Sequence, residues 1–237
     1  MNRIIETAKK LAEQAGGLTF SEPVHTVYNP IQYAWKAHKM YLEKWGAPPK
    51  EVVLVGMNPG PWGMVQTGVP FGEIGMVRDW LGIEEEIKQP ETVHPRRPIE
   101  GFACKRSEVS GARLWGWSRD RFSSPENFFR RFFVYNYCPL AFMEESGRNR
   151  TPDKLPADEK KALFEICDHA LLETVRELDP SLVIGIGKFA EEKARSALEK
   201  TPVRVGRILH PSPASPLANR GWSEAAEKGL ASYGIVP

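Results

Sequence analysis

At 237 residues the chain fits one large α/β domain, or one domain with a decorated surface, better than two independent units. A chain of that length buries roughly 70–75% of its unfolded surface and needs no disulfide or metal staple. Lys and Arg number 32 against 30 Asp and Glu, which excludes a histone-like polybasic chain or an acidic disordered tail; 41% apolar content excludes global disorder.

Ile4, Ile5, Ala8, Leu11, Ala12 and Ala15 recur at helical spacing and predict a helix over residues 3–16. Tyr33, Ala34, Ala37, Tyr41 and Trp45 repeat the pattern after Pro30, so helices occupy about 1–46. Residues 51–56 are short, β-branched and flanked by Pro and Gly, the pattern of a buried strand. A Gly/Pro-rich loop over 57–70 follows, then a helix over 72–81. Residues 89–124, rich in Pro, Arg, Gly and Trp, read as an irregular basic insertion. Further buried strands are expected at 132–136 and 181–186, and a partly alternating one at 203–209. Amphipathic helices fill 157–178 and 189–199, and a last helix spans 223–230. Strands alternating with helices predict a largely parallel sheet covered on both faces, in one domain spanning 1–237.

Charge is uneven along the chain. Between Arg96 and Arg150 eleven Lys/Arg face six Asp/Glu, with Trp115, Trp117, Phe122, Phe128 and Phe129 interleaved. Such a mixture can follow a phosphate backbone and stack on bases. The plainer reading is a solvated face beside an aromatic core.

In open α/β sheets ligands bind beyond the carboxyl ends of the strands. The residues there are Met57-Asn58-Pro59-Gly60-Pro61-Trp62-Gly63-Met64, then Asn136-Tyr137-Cys138-Pro139, then Gly187-Lys188, then His210-Pro211-Ser212-Pro213-Ala214-Ser215-Pro216. Two amides, one histidine and two rigid Pro/Gly loops meet at one edge, and no carboxylate. Singly, Asn58 suits a turn, Asn136 a strand cap and His210 a satisfied core histidine; their convergence is what points to a site.

Other chemistries fit less well. Gly185-x-Gly187-x-x-Ala190 half-matches a dinucleotide fingerprint, but the next strand ends in His210 where an acidic ribose ligand belongs. There is no Gly-x-Ser-x-Gly elbow and no P-loop. The five histidines lack metal-ligand spacing, and three cysteines are too few for an iron–sulfur cluster. Neither cofactor nor metal is expected. No apolar run approaches the roughly 18 residues of a membrane span, and the N-terminus lacks a signal-peptide core. Cys104, Cys138 and Cys167, odd in number and widely spaced, suit a reducing, intracellular compartment.

Gly56-Met57-Asn58-Pro59-Gly60-Pro61-Trp62-Gly63-Met64 resembles the first motif of the single-strand-selective monofunctional uracil-DNA glycosylases. His210-Pro211-Ser212-Pro213 followed by Asn219-Arg220-Gly221-Trp222 resembles their second. Residues 66–73, 107–113 and 146–149 are also similar, and the likeness runs from about Tyr28 to the C-terminus. The resemblance implies a three-layer α/β/α fold with a central four-stranded parallel sheet, and a pocket for a base rotated out of single- or double-stranded DNA. It implies a monomer acting wherever genomic DNA resides. Carried over, Asn58 positions the attacking water, His210 hydrogen-bonds the base at O2, Asn136 reads its Watson–Crick edge and Phe71 stacks on the ring. The loop Pro211, Ser212, Pro213, Ala214, Ser215 presses into the duplex. Ala214 departs from the Arg of vertebrate members, so duplex wedging is either weaker here or supplied by Leu217 or Arg220.

These residue types suit the chemistry. Cleaving an N-glycosidic bond leaves a base anion and an oxocarbenium-like sugar, so fixed donors in a dry pocket are the main demand. Asn136 offers an acceptor and a donor, matching uracil and mismatching cytosine. Gly60 stands where strictly uracil-specific relatives place Tyr against the base C5 edge. The expectation is a void lined by backbone, Met57 and Met64, holding a water that a 5-hydroxymethyl group replaces. Uracil and 5-hydroxymethyluracil are then substrates, and thymine is left largely untouched. The only lysine directly after a predicted core strand is Lys188, which reads as a solvated helix-start residue, so no Schiff base is expected. The alternatives are a non-catalytic binder of flipped or damaged bases and a small-molecule nucleosidase.

Overall fold

The computed structural model describes residues 3–237; Met1 and Asn2, at the head of the predicted N-terminal helices, lie outside the described residues. In chain order the elements are α1 (Arg3–Gly16), β1 (Val24–Tyr28), α2 (Pro30–Tyr33), α3 (Trp35–Trp45), β2 (Val52–Gly56) and α4 (Met64–Thr67). Then come α5 (Val109–Phe122), α6 (Pro125–Phe129), β3 (Phe132–Asn136), β4 (Ala141–Glu144) and β5 (Asn149–Arg150). The chain ends with α7 (Ala157–Leu178), β6 (Leu182–Ile186), α8 (Lys188–Ala197), β7 (Arg204–Ile208), α9 (Pro216–Asn219) and α10 (Trp222–Ala231).

The four strands read from the sequence form one parallel sheet in the order β3-β2-β6-β7. Every residue of β2 and β6 is buried, which is why both are continuous apolar runs. β7 is an edge strand and keeps Arg204 and Arg207 in solvent. Helix α8 packs on β6, β7 and β2 with α7 beside it, while on the other face α6 packs on β3, α10 on β7, and α5 against both of those helices. The result is the three-layer α/β/α arrangement. Since β3 and β6 flank β2 on opposite sides, the strand order reverses at β2, and a crevice opens at its carboxyl end.

Three local expectations change. Residues 72–81 do not form an α-helix throughout: a π-turn occupies Met76–Trp80, with the Leu81 N–H donating to the Met76 carbonyl at 2.9 Å. The Glu73 carboxylate accepts the Met76 N–H at 2.9 Å, so the helical turn starts only after Glu73. Residues 109–122, read as irregular, are helix α5. A second, antiparallel sheet, β1-β4-β5, in which β1 pairs with β4 more than 110 residues later, has no counterpart in the sequence reading.

Candidate active site

The carboxyl edge of the sheet receives Met57 and Asn58 after β2, Asn136 at the end of β3, and His210 after β7. Gly56 ends β2 directly opposite Asn136. A Cβ on Gly56 would lie 2.5 Å from both Asn136 Oδ1 and Phe71 Cε2, so the glycine is what lets amide and ring close over the strand end. The Phe71 and His210 rings stand 6.2 Å apart, tilted by 43°. Phe71 holds a left-handed φ of +53°, uncommon for a bulky side chain. Its carbonyl is fixed by the Trp115 indole N–H at 2.9 Å and the Glu73 N–H at 2.7 Å.

Each polar group is oriented by a protein partner. Asn58 Nδ2 donates to the Leu140 carbonyl at 3.1 Å, which leaves Oδ1 as the amide's available acceptor. Asn136 is buried, and its Nδ2 donates to Met64 Sδ at 3.2 Å. A thioether is a weak acceptor, so this donor is readily transferred to an incoming carbonyl. His210 Nδ1 accepts the Ser212 N–H at 3.0 Å, which puts the proton of the neutral ring on Nε2. Burial lowers the His210 pKa below its ordinary 6.5, favouring that neutral form.

Helix α5 braces this edge from above. Arg113 donates to the carbonyls of Pro211 at 3.0 Å and Ser212 at 3.4 Å, and to Asn219 Oδ1 at 2.8 Å. Trp115, two residues on, holds Phe71. Glu108, the residue capping α5, lays its carboxyl among three glycines: ideal Cβ positions on Gly60, Gly63 and Gly111 would fall 2.3, 2.4 and 2.8 Å from its oxygens. Glu108 Oε2 is buried without a hydrogen-bond partner. Desolvation pushes the carboxyl up to about 7; the Gly111 amide opposes this and the nearby Glu73 charge adds to it. The expected void at Gly60 is therefore filled by a carboxyl, and the site is not free of carboxylates. The sequence hides this because Glu108 follows no strand and lies 48 positions from Gly60.

Residues 43–228 match the profile of the uracil DNA glycosylase superfamily. The chain belongs to this superfamily. It is 50% identical over 235 residues to the single-strand selective monofunctional uracil-DNA glycosylase of Rattus norvegicus, covering 98% of this chain and 84% of the relative. The Mus musculus protein of the same description is 49% identical with the same coverage. Among solved structures, wild-type Pedobacter heparinus SMUG2 superposes with a TM-score of 0.68 over 96% of this chain and 97% of its own, at 16% identity, a likeness of fold.

In this member of the superfamily the loop after His210 is tied to itself. Ala214 N–H donates to Ser212 Oγ at 3.1 Å, and Ser215 Oγ caps α9 through Ala218 N–H at 3.4 Å. Pro211 is buried, whereas Pro213, Ala214 and Arg220 are exposed. Leu217 is 62% exposed, the loop's large apolar side chain in solvent. Of the aromatics interleaved with basic residues, Trp115, Trp117, Phe128 and Phe129 are core, and Phe122 packs edge-on against Trp117 and Phe128. They are not available to bases, because hydrophobic burial claims large rings first. Trp62 in the loop after β2 is the half-exposed aromatic here, with the guanidinium groups of Arg97 and Arg106 over its ring at 5.0 and 4.4 Å. Among the described residues no group of three or more His, Cys, Asp or Glu is placed to hold a metal ion, and no helix is long and apolar enough to cross a membrane.

Proposed function

We propose that this protein hydrolyses the N-glycosidic bond of uracil, and of 5-hydroxymethyluracil, flipped out of DNA, releasing the base and leaving an abasic site in an uncut strand. The observation that carries the reading is His210: a neutral imidazole whose Nδ1 is already engaged, offering Nε2–H where negative charge builds on the leaving base O2. Asn136 supplies a donor for O4 and an acceptor for N3–H, with Phe71 against the ring face. Asn58 Oδ1 orients a water toward the sugar. An amide is too weak a base to ionise that water, but an oxocarbenium-like centre is electrophilic enough to take it neutral. Met57, Gly60 and Met64 complete the base's surroundings, and Leu217 or Arg220 fills the vacated stack in duplex DNA in place of the small Ala214. The protein acts as a monomer, without cofactor, on single- and double-stranded DNA wherever the genome is kept.

The test incubates a single-uracil oligonucleotide and free deoxyuridine in parallel. Free uracil is expected from the oligonucleotide alone, with strand scission only after alkali. Tight binding without release would favour a base-binding protein, and equal release from deoxyuridine a nucleosidase.

A further inference from the structure

We propose that Glu108 reads the C5 position of the flipped pyrimidine, its carboxyl accepting a hydrogen bond from a hydroxyl-bearing C5 substituent. The inference rests on the proposed base pocket and adds a specificity-determining residue to it. Going round the ring, O2 at His210 and N3–O4 at Asn136 leave C5 as the next position past the Asn136 donor. That donor now rests on Met64 Sδ, so C5 faces the loop that carries Gly60, Gly63 and Met64. Behind this loop there is no apolar wall. There is the Glu108 carboxyl, with Oε1 where a Gly60 side chain would begin and Oε2 against Gly63 and Gly111.

A structural role alone leaves this arrangement unexplained. A capping carboxylate normally ends in hydrogen bonds to the first N–H groups of its helix; Glu108 faces the Gly111 amide, which favours its charged form, but its geometry falls short of a side-chain cap bond to α5. One of its oxygens is buried and unpartnered, a state that costs free energy unless a ligand or water completes it. The pKa near 7 leaves a substantial ionised fraction at neutral pH, and a carboxylate accepts from a hydroxyl more strongly than a neutral group does. Three glycines surround it where any larger residue would collide with it. A methyl group offers this carboxyl no proton, so thymine covers the acceptor and leaves it unsatisfied.

The experiment measures single-turnover release of uracil and 5-hydroxymethyluracil from single-stranded oligonucleotides by the wild type, Glu108→Ala, Glu108→Asp and Glu108→Gln. The 5-hydroxymethyluracil-to-uracil rate ratio should fall at least about tenfold in the Ala and Asp variants, where the acceptor is removed or withdrawn by a methylene. In Gln, which keeps length and a carbonyl acceptor, the ratio should stay within about threefold of wild type. Equal losses on both bases, or an unchanged ratio in Ala and Asp, would mean that Glu108 only props the loop, and the inference falls. A wild type that releases uracil but not 5-hydroxymethyluracil also overturns it while leaving uracil excision standing. A wild type that releases neither overturns the site's assignment itself.

Discussion

The ring of His210 has two nitrogens with separate duties, and the hydrogen bond from Ser212 N–H decides which does what. With Nδ1 occupied as an acceptor, Nε2–H is left for the substrate. A side chain without a donor removes one oxyanion-type contact, which costs roughly 3–4 kcal/mol in the transition state. His210→Leu is therefore expected to slow single-turnover uracil release by two to three orders of magnitude or so, with oligonucleotide binding largely retained. Protonation would place a hydrogen on Nδ1 facing the Ser212 N–H and break that bond. Because burial lowers the pKa, the neutral ring persists below pH 6.5. The acid limb of the rate profile should accordingly include a break below 6.5 that is absent from His210→Asn; a break above 6.5 that disappears in His210→Asn and persists in Glu108→Gln would contradict the tautomer.

Helix α5 does at the scale of an element what no single site residue does. It reaches the Gly60–Gly63 loop through Glu108, Phe71 through Trp115, and the loop after His210 through Arg113. The first two belong to the long connection after β2 and the third follows β7, and away from the sheet each would otherwise be held only at its root. Arg113→Met keeps the aliphatic stem and deletes the bonds to Pro211, Ser212 and Asn219. Hydrogen bonds from a charged donor contribute about 1.5–3 kcal/mol, so excision should fall roughly tenfold to a hundredfold if they hold His210 in place. Thermal melting run beside the assay separates the two roles: a lowered melting point with an unchanged rate would make Arg113 a stabilising contact only.

Across the whole molecule two buried titrating groups act on stability with opposite sign. His38 is fully buried, bonded through Nδ1 to the Gly68 carbonyl at 2.7 Å, and desolvation lowers its pKa to about 4. The unfolded chain then binds more protons between the folded value and 6.5, so this histidine's contribution is lost as pH falls through that window. Glu108 is raised from 4.5 to about 7, so the folded state is the better proton binder there, and its contribution is lost as pH rises through that window. Each shift corresponds to roughly 3 kcal/mol. Urea unfolding should show His38→Gln gaining on the wild type as pH is lowered from about 7 to 4, and Glu108→Gln gaining as pH is raised from about 4.5 to 7.5. Parallel curves for a variant and the wild type would mean that the group does not titrate across folding.

The sequence by itself placed all four strands of the parallel sheet to within a residue at each end, because a buried strand writes its burial into consecutive side chains. It also located Asn58, Asn136 and His210, since each stands within two residues of a strand end and the parallel order brings those ends together. It misjudged α5, whose Gly, Trp and Arg residues lack a clean apolar stripe because the helix packs on α6, α10 and the π-turn and sends Arg113 and Trp115 to loops. It also missed β1, which finds its partner β4 more than 110 residues later. Only the tertiary structure brought Glu108 to Gly60 and Gly63, Trp115 to Phe71 and Arg113 to the loop after His210. Those contacts span from 44 to 106 positions of chain, and a polar group's partner at that distance is chosen by how helix and sheet pack, for which local periodicity carries no signal.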